Sequence, residues 1–225
     1  EMRDPYSLCP TGHAFTTRQH NVSVEFDEDF DSWAGPFIMA SINTRVVLRS
    51  NALLDGHYNE NFKYDEAMLT SATNKGEKAA KRISTGTKVS MFMMAFAAMR
   101  WLATRFILPS PGEGPTPEQQ LKGCYDLRLL GRTPQGGRVR VKVTGDRDPG
   151  YGSTAKMLAQ AGLSLRRDVD EGEVGGGFWT PATVFNDKLI TRLIDYAGMN
   201  FELESLSPAM TAIEEVVVDE TVPPA

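Results

Sequence analysis

Gly145-Asp146-Arg147-Asp148-Pro149-Gly150-Tyr151-Gly152-Ser153-Thr154-Ala155 is the stretch on which the fold class turns. From Gly150 it reads G-x-G-x-x-A, a permitted form of the dinucleotide fingerprint, which would imply a parallel, doubly wound sheet. The spacing argues against that. A fingerprint turn leaves directly from the end of a buried parallel strand, whereas four residues, Asp146 to Pro149, stand between this turn and the strand before it. That strand also looks like half of a hairpin: Tyr125, Leu127 and Leu129 alternate, Pro134-Gln-Gly-Gly137 turns, and Val139, Val141 and Val143 alternate again. A hairpin running into a helix predicts an α+β fold, a mixed, largely antiparallel sheet packed with helices.

The turn itself is suited to an anion. Gly150 and Gly152 allow positive φ and close approach, and a helix beginning at Ser153 or Thr154 offers unpaired N–H groups and the positive end of its dipole. Asp148, Gly150, Gly152, Ser153 and Thr154 are therefore candidate binding residues; they describe a plain capped helix start equally well. The helix that follows carries Thr154, Leu158, Ala161 and Leu165 along one side. Beyond a charged loop at 166–173, Gly175-Gly-Gly-Phe-Trp-Thr-Pro-Ala182 lets the backbone approach closely at Gly176 and Gly177, and Thr180-Pro181 predicts an N-cap and first-turn proline. The helix expected there carries Phe185, Leu189 and Leu193, stops at Gly198, and leads to a short strand at 199–203.

Upstream, residues 1–21 read as an extended connector to a domain spanning 22–204, with 205–225 as a tail in which Val216-Val-Val218 adds an edge strand or stays mobile. A strand is expected at 22–26, and a helix from an N-cap at Gly35-Pro36 to a stop at Asp55-Gly56. On that helix Asn43, Arg45 and Arg49 flank the apolar face; the arginines form a guanidinium pair for a phosphate or carboxylate, or snorkel and pair with an acidic neighbour. After a further strand at 62–64, residues 76–108 read as one or two helices, uncharged for the eleven residues from Val89 to Met99. A bilayer span needs roughly 20 apolar residues, and Arg100 and Arg105 interrupt this run. A buried core helix is expected, with a Met/Phe-rich surface helix touching acyl chains or a membrane as the alternative. Four prolines between Pro109 and Pro117 form a stiff lid or connector.

Composition narrows the function. The 225 residues are 41% hydrophobic, enough for a real core, and a formal charge of -5 leaves no basic excess for nucleic acid. Cys9 and Cys124 have no metal-like spacing and His13, His20 and His57 lie in polar stretches, so no metal site is expected. The first thirty residues lack a secretory pattern, which makes the cytoplasm the expected compartment; the opening Glu-Met-Arg suggests a fragment.

With the hairpin, the 145–158 turn and helix, the 175–182 glycine turn, Ile42-Asn-Thr-Arg-Val-Val-Leu-Arg-Ser-Asn-Ala-Leu-Leu54 and Pro111-Gly-Glu-Gly-Pro115 in order, the sequence resembles the saccharopine dehydrogenase-like oxidoreductases, in particular the trans-acting enoyl reductases. The resemblance implies that this chain is the C-terminal, substrate-facing domain of a two-domain protein whose Rossmann domain, absent here, holds most of the NADP. It implies reduction of an enoyl thioester on a carrier protein, or of an imine; the 89–108 run, separately, leaves a homodimer or a peripheral membrane contact as further partners. An enolate developing on the substrate needs hydrogen-bond donors, for which Tyr151, Thr180 and the N–H groups of the two glycine turns are candidates. The other class of function is a non-catalytic dimerisation or lipid-binding module. The chain by itself is expected neither to bind NADP tightly nor to turn over substrate: twenty places beyond Gly150 lies the acidic 168–173 loop, unsuited to a 2′-phosphate.

Overall fold

In a computed structural model, residues 4–110, 112–170, 172 and 174–207 are described. They fall into two compact units. One holds the described residues up to Glu113 together with Gly177–Thr183; the other holds Gly114–Gly176 and the residues from Val184 on. The fold is α+β, with every strand pair antiparallel and the strands divided between two three-stranded sheets. The expected Val216–Val218 strand lies outside the described residues.

The first unit is built on β2 (Ser32–Pro36), between β1 (Glu25–Asp27) and β3 (Ala67–Leu69). Phe26 pairs with Trp33 across the ladder, their rings edge to face at 5.6 Å. Gly35-Pro36 is thus strand and not a helix start. A Cβ on Gly35 would sit 3.2 Å from the carbonyl oxygen of Ala80, so glycine lets α2 (Asn74–Ala95) press on the sheet, and Pro36, with no N–H to give, ends the strand. At the start of α2, Gly76 leaves no room at all: a Cβ would meet the Ser71 carbonyl oxygen at 1.8 Å. Helix α1 (Ala40–Leu53) buries Leu48, Ser50 and Asn51 and stops where expected, with Asp55 and Gly56 both at positive φ. Residues 62–64 form no strand; the third strand lies further on, at β3.

The segment read as a connector is fastened to its surroundings. Tyr6 is buried and donates to the Thr17 carbonyl at 2.7 Å, and Gln19 donates to the Tyr6 hydroxyl at 2.9 Å and to the Phe62 carbonyl at 3.2 Å while accepting from Tyr64 N at 3.0 Å.

The apolar run at 89–108 is a correction. It forms the end of α2 and a separate α3 (Ala97–Phe106), broken at Phe96, whose backbone is extended. Of the residues in α3 only Ala103 is buried, while Phe92, Trp101 and Phe106 are each more than 60% exposed. Among the described residues no element of the unit covers this stretch, so it is not the core helix the sequence led us to expect.

The second unit opens with α4 (Pro117–Lys122), started by a capping box between Thr116 and Gln119, a T-x-x-Q signal that the proline-rich loop concealed. The hairpin of β4 (Tyr125–Arg132) and β5 (Arg138–Gly145) follows as expected, and β6 (Met199–Leu206) pairs with β5. Alternation puts the odd-numbered residues of β4 and β5 on one face together with Met199, Phe201 and Leu203, and a register shift at Arg140/Val141 then brings Leu206 of β6 opposite Val139. There Val143 and Met199 join Leu193 and Ala197 of α7 (Asp187–Ala197) in the core, with Met157 of α5 (Gly152–Arg167) packed against them. The inward side of α5 is Ser153, Met157, Gln160 and Ser164, one apolar residue among three polar ones. Its expected apolar side faces out, with Leu158 and Leu165 exposed. The single helix expected after Thr180 is two, α6 (Pro181–Val184) and α7, interrupted at Asn186 with φ +49°. Gly198 caps α7 in the left-handed conformation, as expected.

Candidate functional site

The turn at Gly150 already holds an anion, and it is its own. The carboxylate of Asp148 accepts from Gly150 N at 3.0 Å, Tyr151 N at 3.1 Å and Gly152 N at 2.6 Å, while its carbonyl accepts from Ser153 N at 2.9 Å. These are the first orphan donors of α5, satisfied from inside the loop. The N–H of Gly152 above all, then those of Tyr151 and Gly150, hold the Asp148 carboxyl below its ordinary value. Neither Gly150 nor Gly152 adopts a positive φ. What Gly152 supplies is proximity, since a Cβ there would stand 3.0 Å from the Asp148 carboxylate.

Around this loop the other candidates divide. Ser153 is fully buried and shares a 2.9 Å hydrogen bond with the phenol of Tyr125. Thr154 donates to the Pro149 carbonyl at 2.6 Å. Tyr151 lies 56% exposed, its ring against Gly114, where a Cβ would come within 3.2 Å of it. Two ion pairs brace the two ends of α5. Lys156 bridges Asp146 at 2.8 Å and the Ala197 carbonyl at 2.9 Å, and Arg192 grips Asp168 with Nε and Nη2, the latter at 2.9 Å. That fork takes the Asp168 carboxyl down to about 2.

The remaining candidates, Gly176 apart, belong to the first unit. Asn43 donates to the Glu66 carboxylate at 2.9 Å, and the same carboxylate accepts the Tyr64 hydroxyl at 2.5 Å. Burial, then that hydrogen bond, push the Tyr64 phenol up. Arg45 donates to the Asp4 carbonyl at 3.2 Å, to Ser7 Oγ at 3.1 Å and to the Ser41 carbonyl. Arg49 donates to the carbonyls of Leu8 and, at 2.5 Å, Phe178. Both guanidinium groups thus hold main-chain oxygens of neighbouring segments. Thr180 is buried, with its hydroxyl 2.7 Å from that of Ser50; Ser50 gives its own proton to the Val46 carbonyl, so Thr180 is the donor of the pair. Gly177, at φ +153°, is a position only glycine takes easily, and a Cβ at Gly176 would meet nothing within 4 Å.

The structure therefore gathers Asp148, Gly150, Tyr151, Gly152, Ser153 and Thr154 in one loop, and in the first unit brings Arg49 of α1 against the 177–183 segment that carries Thr180, with Asn43 engaged separately. Sequence reasoning missed an open cleft of about 770 Å³ in the first unit, between residues 4–21 and the Ser41, Thr44 and Arg45 face of α1. Tyr6, His13 and Phe15 stack along it at 5.5 to 6.2 Å between ring centres. The signal was there in three rings within ten residues, but a segment with no periodicity was read as a connector.

Known proteins similar to this chain share one name. It is 34% identical over 178 residues to a putative trans-acting enoyl reductase of Mycobacterium tuberculosis, covering 78% of this chain and 42% of that protein. It is 35% identical over 164 residues to a trans-acting enoyl reductase of Mycobacterium bovis, covering 72% and 39%, and 31% identical over 163 residues to one of Mycobacterium ulcerans, again covering 72% and 39%. The chain spans about two fifths of the length of the curated relatives it matches. No protein-family model matches it, and no solved structure does.

Proposed function

We propose that this chain is the substrate-facing part of an enoyl reductase of the saccharopine dehydrogenase-like kind, acting on the conjugated C=C bond of an acyl thioester delivered on a separate carrier protein. The observation that carries this reading is the 34% identity sustained over 178 residues with proteins named for that activity. Saturating such a bond sends electron density to the thioester oxygen, and a site that accelerates it offers hydrogen-bond donors that are not already spent. Tyr151 meets that requirement, with an exposed phenol at the head of α5. Thr180 has given its proton to Ser50 and serves by fixing residues 177–183 of the first unit, where Gly177 keeps the backbone open.

NADP is the reductant the resemblance implies, and the loop at Gly150 does not fit it. A pyrophosphate there would have to displace the Asp148 carboxylate from three N–H groups, and β5, from which the loop departs, is antiparallel to both its neighbours. We therefore assign the nucleotide to a part of the longer protein outside this chain, for which the length of the relatives leaves room.

The test is turnover by the longer protein containing this chain, given NADPH and a 2-enoyl thioester, with nucleotide oxidation followed by absorbance and the saturated thioester identified by mass spectrometry. Tyr151→Phe is expected to lower kcat roughly tenfold to a hundredfold. Reduction of an imine in place of the enoyl thioester would overturn the substrate assignment.

A further inference from the structure

We infer that the tip of the first unit, formed by the last two turns of α2 and by α3, docks on an anionic lipid bilayer and lies in its interface without crossing it. At about 100° per residue, Val89, Met91, Phe92 and Met94 point to all sides of α2, and all four are exposed. On α3, Met99, Leu102 and Phe106 make a stripe with Trp101 beside it, exposed likewise. An apolar surface this continuous marks a contact. Among the described residues no helix is long and apolar enough to cross a membrane, and the extended backbone at Phe96 turns the chain between the two helices.

Charge selects the occupant. Between Glu77 and Glu113 the chain carries six lysines and arginines and no carboxylate, in a protein whose formal charge is -5. Two of these cations are placed among the apolar groups: Arg105 lies 5.4 Å from the centre of the Phe106 ring, and Arg100 donates to the Met94 carbonyl at 3.1 Å, at the break between the helices. Guanidinium groups set beside aromatic rings on long apolar stems suit the headgroup boundary, where the stem stays in hydrocarbon and the charge meets phosphate. A second copy fits less well, since a twofold contact lays the patch on its own image and brings Arg100 and Arg105 towards their counterparts. A protein partner covers one face of a helix, whereas Val89, Met91, Phe92 and Met94 spread around the end of α2 with Ser90 the one polar residue among 89–95; a fluid phase reaches all of them together.

The inference does not depend on the reductase reading, and its test needs no turnover. The chain is floated with phosphatidylcholine vesicles that contain or lack phosphatidylglycerol. It is expected to float with the anionic vesicles, with a blue shift of tryptophan emission that Trp101→Phe removes, and to be released by high salt. Phe96→Glu, and separately the pair Arg100→Glu and Arg105→Glu, are expected to lower binding about tenfold or more and to leave the melting curve unchanged, because these side chains are exposed. Failure to float, equal binding to neutral vesicles, or binding that survives the variants would overturn the inference. So would a dimer in sedimentation that Phe96→Glu dissolves, or a fall in melting temperature for that variant.

Discussion

The hydroxyl groups of Ser50 and Thr180, 130 residues apart, lie 2.7 Å from each other in the interior of the first unit. Thr180→Val removes the donor and leaves the buried Ser50 oxygen short of one partner, so a loss of about 1–2 kcal/mol is expected in urea unfolding. Thr180→Ser keeps the hydroxyl and should cost less than about 1 kcal/mol. Equal midpoints for the wild type and the valine variant would show that residues 177–183 are not held by this bond.

Arg49 joins the same arrangement from the side, tying the Leu8 and Phe178 carbonyls to α1. Arg49→Ala is expected to cost roughly 1 kcal/mol, and Arg49→Lys to recover little, since one ammonium group does not reproduce the fork that spans two acceptors. In the reductase proposed above, KM should stay as it was. A raised KM with unchanged stability would return Arg49 to the substrate.

Acid should loosen the second unit through Asp168. Its carboxyl titrates at about 2 in the folded chain against an ordinary value of 3.8, so the stabilisation from Arg192 is complete above the ordinary value and disappears as the pH falls towards the folded one. Asp146, held down by Lys156, and Asp148, held down by the N–H of Gly152, act in the same direction. Melting temperature against pH should therefore fall less steeply for Asp168→Asn than for the wild type between about pH 4 and pH 2. Parallel curves would remove Asp168 from the acid response.

Titration calorimetry of this chain with NADPH should give no saturable heat. The donors at the head of α5 are taken up by Asp148, and a carboxylate in that position repels a phosphate. A micromolar dissociation constant would place the nucleotide site within these residues and undo the assignment made above.

Much of the second unit was legible because its hairpin alternates, although on its apolar face Val143 is buried while Leu127 and Leu129 stay exposed. Leu127, Leu129, Val141 and Val143 alternate with charged residues, and that period declares two strands and their register. Gly35-Pro36 misled because the pair means one thing locally and another in the fold: it reads as a helix start, but the glycine is there because a Cβ would stand 3.2 Å from the Ala80 carbonyl oxygen of α2. The 89–108 run misled because apolar composition reports that a surface will be covered and is silent on what covers it. Among the candidate site residues, type was easier to read than role. Asp148 reads as one of the binding residues of an anion-friendly loop, but nothing in the pattern says that this carboxylate itself takes up three of the loop's N–H groups.

Gly177–Thr183 belongs to the unit whose other residues end at Glu113. A ribosome delivers the chain from its N-terminus, so Arg49 and Ser50 must wait through the synthesis of residues 114–176 before Phe178 and Thr180 arrive. The first unit is begun early and finished late, with the hairpin free to form in between. A nascent chain stalled after Glu113 would expose the side of α1 that these two residues complete, and that interval is when a chaperone would have most to hold.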